Sequence, residues 1–444
     1  MKLHGEYPEF SEVDAKQTQS AKTCYRKKID YESDAKDELN SDLLVAGHHS
    51  TIGHQMVNLK ITTSRLHTFT VLHAHPHYTS DERSQRYTEI GPKNFYSFND
   101  SELDQHNKRC SDFYQSIFQE LLKILEEPCK KRFKSRAQNY LPNIAKERAR
   151  MVLPFSTRTN LWHSVNPEVL LQYVQFKSLE LPCQNQFVEL LLDKVISNSS
   201  TMHEYFTKQS EAADYQDLLP DFHDIPVLNQ SSFPIGNGKE LKEALINHRG
   251  PLKGITRFGR LGKFLSAESI RGNYLMSAAG LAQLQRHRPL KMNMTLHHGG
   301  FYTDEYLELS KYYKEFLEYI QSTIPKVQNH HLRYYFYPVG QLFRFSYEIT
   351  PFDFINLASK RICFNAQSEI SQFAYDVTSD AIRQISESGS KTPLTRDDIL
   401  TLFAPPCHHN ERYGIKPRCP EGKRYCGVPA WKVDHDDLME ARIV

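Results

Sequence analysis

The chain has 444 residues, of which 39% are hydrophobic, 11% aromatic and 24% charged, and its formal net charge is +2. That length suits two or three domains, the aromatic content excludes a disordered chain, and the near-balanced charge excludes a global field that would draw in nucleic acid or acidic membranes. No run of about eighteen apolar residues occurs, and the opening MKLHGEYPEFSEVDAK lacks the apolar core of a signal peptide. No membrane or nucleic-acid partner is expected, and a cytoplasmic location follows by default. Eight cysteines, five of them scattered, read as free thiols in a reducing compartment.

Residues 1–42 are polar and charged and read as an arm. Ile52 to Leu72 has helical spacing and is expected to be a core helix. A polar loop is expected to run on to about Cys110. Phe113, Ile117, Leu121 and Ile124 then recur at steps of three and four and mark an amphipathic helix. Pro182 breaks the next helical stretch, which resumes over Phe187 to Ile196. Residues 201–250 are punctuated by Pro, Gly, Asn and Asp and read as a linker. A second globular segment spans 251–388, its clearest helix carrying Tyr306, Leu309, Tyr313, Phe316, Leu317 and Ile320 on one stripe. A further helix should start at Thr395, inside a Cys/His-rich C-terminal extension, 389–444.

The two globular segments, 43–200 and 251–388, share an order of features: helix, basic His-containing motif, amphipathic helix, aromatic-Pro strand, two more helices. Pro154 and Lys177 lie 23 positions apart, as do Pro338 and Arg361, within similar aromatic patterns. That equality argues for an internal duplication. The first half carries about 28 extra residues, assigned to loops around 88–110 and 127–145.

HAHPHYTSDERSQRYTEI, residues 73–90, resembles the signature of flavin-dependent thymidylate synthases, Arg-His-Arg-x-x-Ser-x-Asn-Glu-x-Ser-x-Arg-Tyr. GHHSTIGH (47–54) is similar to that family's His-Ser-x-x-x-His lead-in, and ARMVLP (149–154) to its Ala-Arg-x-x-Leu-Pro. In the second half, QLQRHRPLKMN (283–293) keeps the Arg-His-Arg, and NAQSEI (365–370) resembles His-Ala-Gln-Trp-Glu-Ile. The resemblance implies an α+β fold: two tandem domains of thymidylate-synthase-complementing type, each a mixed helix bundle and antiparallel sheet, ahead of the Cys/His-rich tail.

It also implies roles. The first half keeps the family's nucleotide side in Glu82, Ser84, Gln85 and Arg86, and Gln283 of the second half joins them as a substrate contact. The second half keeps the flavin side in Arg286, His287, Arg288 and Asn293, with His54 of the lead-in fitting the family's flavin-facing histidine. FAD is the implied cofactor, with NADPH and methylenetetrahydrofolate as co-substrates and dUMP as the methyl acceptor. A composite site would follow, in a homodimer that mimics the family homotetramer. Arg suits both sides because its planar fork binds phosphate oxygens bidentately. The residues alone leave plainer readings open: RHRP as a helix end carrying favourable positive charge, SDERSQR as a solvated turn. No cysteine sits in a nucleophile setting, and no general base is identified.

Departures bear on the substrate. The family's phosphate motif Asn-x-Arg-Ser becomes Asn166-Pro167-Glu168 and Thr350-Pro351-Phe352, and its uracil-reading arginine falls near Ser199 and Ser379. Arg148, Arg150, Arg344 and Arg361 are candidate replacements. Two rival functions follow: modification of another pyrimidine nucleotide, and a non-catalytic nucleotide- or protein-binding module. In the tail, Cys407, His409 (or its neighbour His408), Cys419 and Cys426 supply four ligands of the type structural zinc takes; the alternative is a loop-rich cap with free thiols.

Overall fold

The computed structural model describes residues 1–6, 44–46, 52–86, 88–179, 181–197, 199–212, 238–248, 255–387, 394–422, 425–439 and 442. Most of the expected arm, the middle of the expected linker, Cys24, His48, His49 and Tyr87 lie outside the described residues. The chain forms two compact units, each discontinuous in sequence. Unit one holds residues 1–112, 153–221 and 318–338; unit two holds 113–152, 222–317 and 339–444. Each combines helices with an antiparallel sheet. Among the described residues no helix is long and apolar enough to cross a membrane.

Among its described residues unit one has four antiparallel strands: β1 (Lys2–Glu6), β2 (Val57–Ser64), β3 (Thr79–Glu82) and β4 (Arg158–Val165), in the order β1-β2-β4-β3. The core helix expected over Ile52 to Leu72 is instead β2 followed by a helical turn, Arg65–His67, and a π-helical turn, Thr68–Leu72. The reason is period two: Val57, Leu59, Ile61 and Thr63 are buried while Asn58, Lys60 and Thr62 face outward. The β-branched Val, Ile and Thr residues suit that pleated, half-buried surface. Ser64 then stops the strand, its side chain accepting the His67 N–H. Lys2–Glu6 is no loose arm, since it pairs with β2 from Lys2 opposite Thr62 to Glu6 opposite Asn58. β4 alternates likewise and ends at Asn166, which caps the helix Pro167–Gln175 by accepting the Val169 N–H at 2.9 Å.

The polar stretch before Cys110 is already helical, since one helix runs Ser101–Ile124. Leu103, His106, Asn107 and Cys110 are buried at helical spacing, and Asp100 accepts the Leu103 N–H. The stretch reads as loop only because its buried stripe is itself partly polar. The extra residues expected as loop around 127–145 form the helices Glu126–Phe133 and Ala137–Ala149. Pro182 opens the helix Pro182–Leu190, its first-turn position costing no hydrogen bond.

Among its described residues unit two has three antiparallel strands, β5 (Ile270–Ser277), β6 (Lys291–Phe301) and β7 (Gln341–Ile349), in the order β5-β7-β6. Ser277 ends β5 and caps the helix Ala278–Leu284 through the Gly280 N–H. Thr350 ends β7 and caps Pro351–Arg361 through the Asp353 N–H. The register of β6 slips between Leu296 and Phe301, where Gln341 Nε2 donates to the carbonyls of His297 and Gly300 and Gly299 takes φ +71°. The stripe expected on a single helix from Tyr306 to Ile320 is divided at Ser310 into Glu305–Leu309 and Lys311–Thr323. Tyr313, Phe316 and Ile320 are buried, while Leu309 is 66% exposed. Thr395 caps Arg396–Phe403 in a capping box with Asp398, where the sequence placed a helix start.

Candidate functional site

The motif segment of unit one starts on β3. Glu82 accepts hydrogen bonds from the guanidinium of Arg65 and from Thr159 Oγ1, the latter at 2.7 Å. Burial alone would raise its carboxyl, but the Arg65 charge, the nearby His73 and these two donors hold it below the usual carboxylate range. Glu82 therefore pairs with Arg65, which precedes it on the turn after β2, rather than with Arg83 or Arg86. Arg65 was not foreseen. A lone arginine inside the apolar run ITTSRLHTFTVL was its signal, because a buried charge demands a partner.

Beyond β3 the chain turns. Arg83 N–H donates to the Asn160 carbonyl, Ser84 Oγ accepts the Arg86 N–H at 3.2 Å, and the Ser84 carbonyl accepts both donors of Thr88. Arg86 is half-buried. Gln85 is only 5% exposed, and both polar atoms of its side-chain amide lack a hydrogen-bond partner among the described residues. Buried polar atoms are nearly always paired, and leaving one bare costs about 1–3 kcal/mol. An orphaned amide with one donor group and one acceptor, next to a guanidinium, fits a ligand carrying both a polar ring edge and an anionic group.

Behind this segment lies a buried network that sequence reasoning missed. His67 is shared between Thr63 Oγ1 (2.9 Å) and Gln184 Oε1 (2.8 Å), and Gln184 Nε2 donates to the Tyr173 carbonyl. Tyr173 bonds His163 at 3.0 Å and donates to the Leu72 carbonyl. Burial pulls His67 down to about 4 and His163 down to about 3, so both rings are neutral at pH 7. His73 stacks on Tyr78 and reaches Ser80 Oγ, whereas His54 lies exposed on a turn.

In unit two, residues 285–290 form the turn between the helix Ala278–Leu284 and β6. Arg286 and Arg288 are exposed, as is Asn293 on β6. His287 is buried between them, and its Nε2 accepts from Arg361 Nε at 2.9 Å. Burial, followed by the charges of Arg361, Lys360 and Arg286, pulls His287 down to about 3. It is a neutral acceptor for Arg361 and holds the turn in place. Two exposed guanidinia flanking it have the donor chemistry that an anionic pyrophosphate takes.

Gln283 donates to Gln367 Oε1, which also accepts from Arg150 at 2.5 Å, and the Gln283 carbonyl accepts from Arg361. Thus Gln283, His287, Arg361, Gln367 and Arg150 form one connected set. Arg148 is not available to replace a missing phosphate ligand, because it forms a buried ion pair with Asp304 at 2.7 Å. Glu369 of the NAQSEI segment accepts from both the N–H and the hydroxyl of Ser277, and burial pushes its carboxyl up to about 7. The departures have local explanations. Asn166 and Thr350 are helix caps, and Glu168 stands in a first helical turn where the helix dipole favours negative charge. Ser199 caps a helix through the Met202 N–H, and Ser379 bonds His435.

Among its described residues the C-terminal extension holds the helices Arg396–Phe403 and Pro406–Arg412. His409 Nε2 bonds the Thr401 carbonyl at 2.9 Å, which withdraws it from the expected ligand set. Among the described residues, no group of three or more His, Cys, Asp or Glu side chains is placed to hold a metal ion, so Cys407, His409, Cys419 and Cys426 do not assemble into a tetrahedral shell. Burial raises the thiols of Cys129 and Cys363 to about 11 and of Cys407 to about 12, the reverse of an activated nucleophile.

Comparison with known proteins adds the following. Thymidylate synthase X from Helicobacter pylori, with FAD and dUMP, aligns over 47% of this chain and 100% of its own, at 17% identity and a TM-score of 0.33. The UMP/dUMP methylase PolB from Streptomyces cacaoi, bound with 5-Br dUMP, aligns over 47% of this chain and 93% of its own, at 18% identity and a TM-score of 0.31. No curated protein sequence matches. The family model of the thymidylate synthase complementing protein matches residues 9–185, the segment that carries β2, β3, β4, the Glu82 clamp and Gln85. Over residues 9–185, less than half of its length, the chain is therefore similar to the thymidylate synthase complementing protein family.

Proposed function

We propose that the protein is a flavin-dependent enzyme of thymidylate-synthase type, transferring one carbon reductively to C5 of dUMP with methylenetetrahydrofolate and NADPH through FAD. The observation that carries this reading is the orphaned, buried amide of Gln85 beside Arg86, within the family segment. When bound, the flavin supplies the redox chemistry. The chain binds and orients. Ser84, Gln85 and Arg86 take the nucleotide, and Glu82, held ionised by Arg65 and Thr159, fixes the end of β3 from which they project. Arg286, Arg288 and Asn293, with His54, take the flavin. His287 holds the Arg286–Arg288 turn through Arg361, and Gln283 serves the substrate. The two halves descend from one duplicated domain, serve the same turnover, and work as a homodimer.

The visible spectrum of the purified protein, before and after adding FAD and desalting, tests the cofactor. About one flavin per chain supports a single kind of site; two per chain sink the division of labour between halves; none favours a non-catalytic binding module. Turnover of dUMP tests the substrate. Arg86→Ala and Arg288→Ala should each abolish that turnover, and effects on separate activities would refute the shared reaction. A different pyrimidine nucleotide is the second reading. It is favoured by Glu168, Ser199 and Ser379, which stand where the resemblance places the family's phosphate- and uracil-reading arginines; Glu168 lies in a first helical turn, Ser199 caps a helix and Ser379 bonds His435. Turnover of dUMP and of no other nucleotide would dispose of it.

A further inference from the structure

Within unit two, a cavity of about 380 Å³ opens beside the helices Arg396–Phe403 and Pro406–Arg412 and the turn Ala430–Lys432. None of the residues assigned above to nucleotide or flavin lines it. Its volume lies in the range of small-molecule sites, about 300–1,000 Å³. Leu400, Ala404, Pro405 and Leu438 supply an apolar lining.

Two polar atoms of the lining are buried and unpartnered among the described residues: His408 Nε2 and Trp431 Nε1. The His408 ring already bonds the backbone of Ala430, and burial lowers its pKa, so the ring is neutral. With its N–H spent on the Ala430 carbonyl, Nε2 is left as a bare acceptor. Trp431 Nε1–H can only donate. The lining thus offers one acceptor and one donor, both dehydrated, beside apolar surface. Few native buried groups stay unpaired without a ligand or water to satisfy them.

Charge at the rim narrows the ligand. Arg412 pairs with Asp397 at 3.4 Å, and Glu411 pairs with Arg418. Lys432 and Asp434, both exposed, are of opposite sign. The rim has no surplus charge to recruit an ion, so an uncharged molecule fits best.

We propose that this cavity is a second small-molecule site, one that takes an uncharged heterocycle with an amide-type edge, as in a nucleobase, a nucleoside or a carboxamide. The ligand's N–H donates to His408 Nε2, and its carbonyl accepts from Trp431 Nε1–H. The site stands independently of the proposed reaction.

The chain has two tryptophans, and Trp162 lies far from this lining in sequence and is 46% exposed on β4. Trp162→Phe therefore leaves Trp431 as the sole indole reporter. That protein is titrated with thymidine, uridine, inosine and nicotinamide, reading Trp431 fluorescence and the thermal midpoint. A saturable change with at least one probe, weakened about tenfold or more by His408→Phe, is expected, a factor of ten being about 1.4 kcal/mol. N3-methylthymidine, which lacks the donor, should bind at least tenfold more weakly than thymidine to the intact site. This comparison needs no substitution at His408. Absence of saturation with all four probes, or equal binding of thymidine and N3-methylthymidine, overturns the proposal.

Discussion

The two units place the same backbone frame around different buried chemistry. In each, three antiparallel strands lie in the order first, third, second, with unit one adding β1 at its edge. In each, a serine ends the first strand and caps the helical turn that follows, Ser64 in one and Ser277 in the other. In each, a polar residue after the third strand caps a helix whose first residue is proline. Behind that frame, unit one buries two neutral imidazoles, His67 bonded to an amide and His163 to a phenol, together with the Arg65–Glu82 ion pair. Unit two also buries a neutral imidazole, His287, and an ion pair, Arg148–Asp304, but adds a carboxyl, Glu369, held by a hydroxyl and a backbone N–H. The frame constrains hydrogen-bond geometry, and either kind of group is tolerated once its partners are supplied.

The largest effect that would test this contrast is Arg148→Ala. It strands Asp304 inside unit two and should cost about 3–5 kcal/mol. Guanidinium unfolding measures it, and a loss below about 1 kcal/mol would mean that the pair is not buried in solution.

Next come opposite responses to pH. His67 has a folded pKa near 4, below its unfolded value of 6.5. The unfolded chain then binds the extra proton, so its contribution is present above pH 6.5 and is lost as pH falls toward 4. Glu369 has a folded pKa near 7, above its unfolded value of 4.5. Here the folded chain binds the extra proton, so stability falls as pH rises from 4.5 to 7. Each amounts to about 3 kcal/mol across its window. His67→Gln should flatten the acid-side loss, and Glu369→Gln should gain stability at pH 8 relative to pH 5. Denaturant midpoints across pH read both, and slopes unchanged from the parent would show that neither group is dehydrated.

Smaller still, Asn166→Ala and Thr350→Ala should each cost about 1 kcal/mol. Near-equal losses would sharpen the equivalence of the two caps. A twofold or greater disparity would show that the helices they open bear unequal loads. At the low end, the exposed Trp162→Phe should stay within about 0.5 kcal/mol in a thermal melt.

Legibility in the sequence followed physics. The strand after Pro154 and the helix start at Thr395 announced themselves through an aromatic-Pro pattern and through capping. β2 did not, because Ile52, Met56 and Leu59 satisfy helical spacing by coincidence while the burial runs at period two. The helix before Cys110 was hidden because His106 and Asn107 fill buried positions usually held by apolar residues. The motif segments around Glu82 and His287 were found by resemblance. Their partners, Arg65, Thr159 and Arg361, come from distant stretches, and no local pattern marks them. His409 illustrates the opposite error: its neighbours in sequence suggested a ligand set, but a carbonyl eight residues away claims its ring nitrogen.

Arg132 lies on the helix Glu126–Phe133, and its guanidinium donates to the carbonyls of Phe364 and Cys426, 232 and 294 residues further along. Gly427, at φ +85°, lets the tail backbone approach the Arg132 carbonyl, where an added Cβ would come within 2.9 Å. A ribosome makes that helix early and its two acceptors late. During synthesis the guanidinium must stay hydrated, so unit two cannot close around it until Cys426 has emerged. Nascent chains stalled before Cys426 should remain protease-sensitive in unit two long after the strands of unit one have paired.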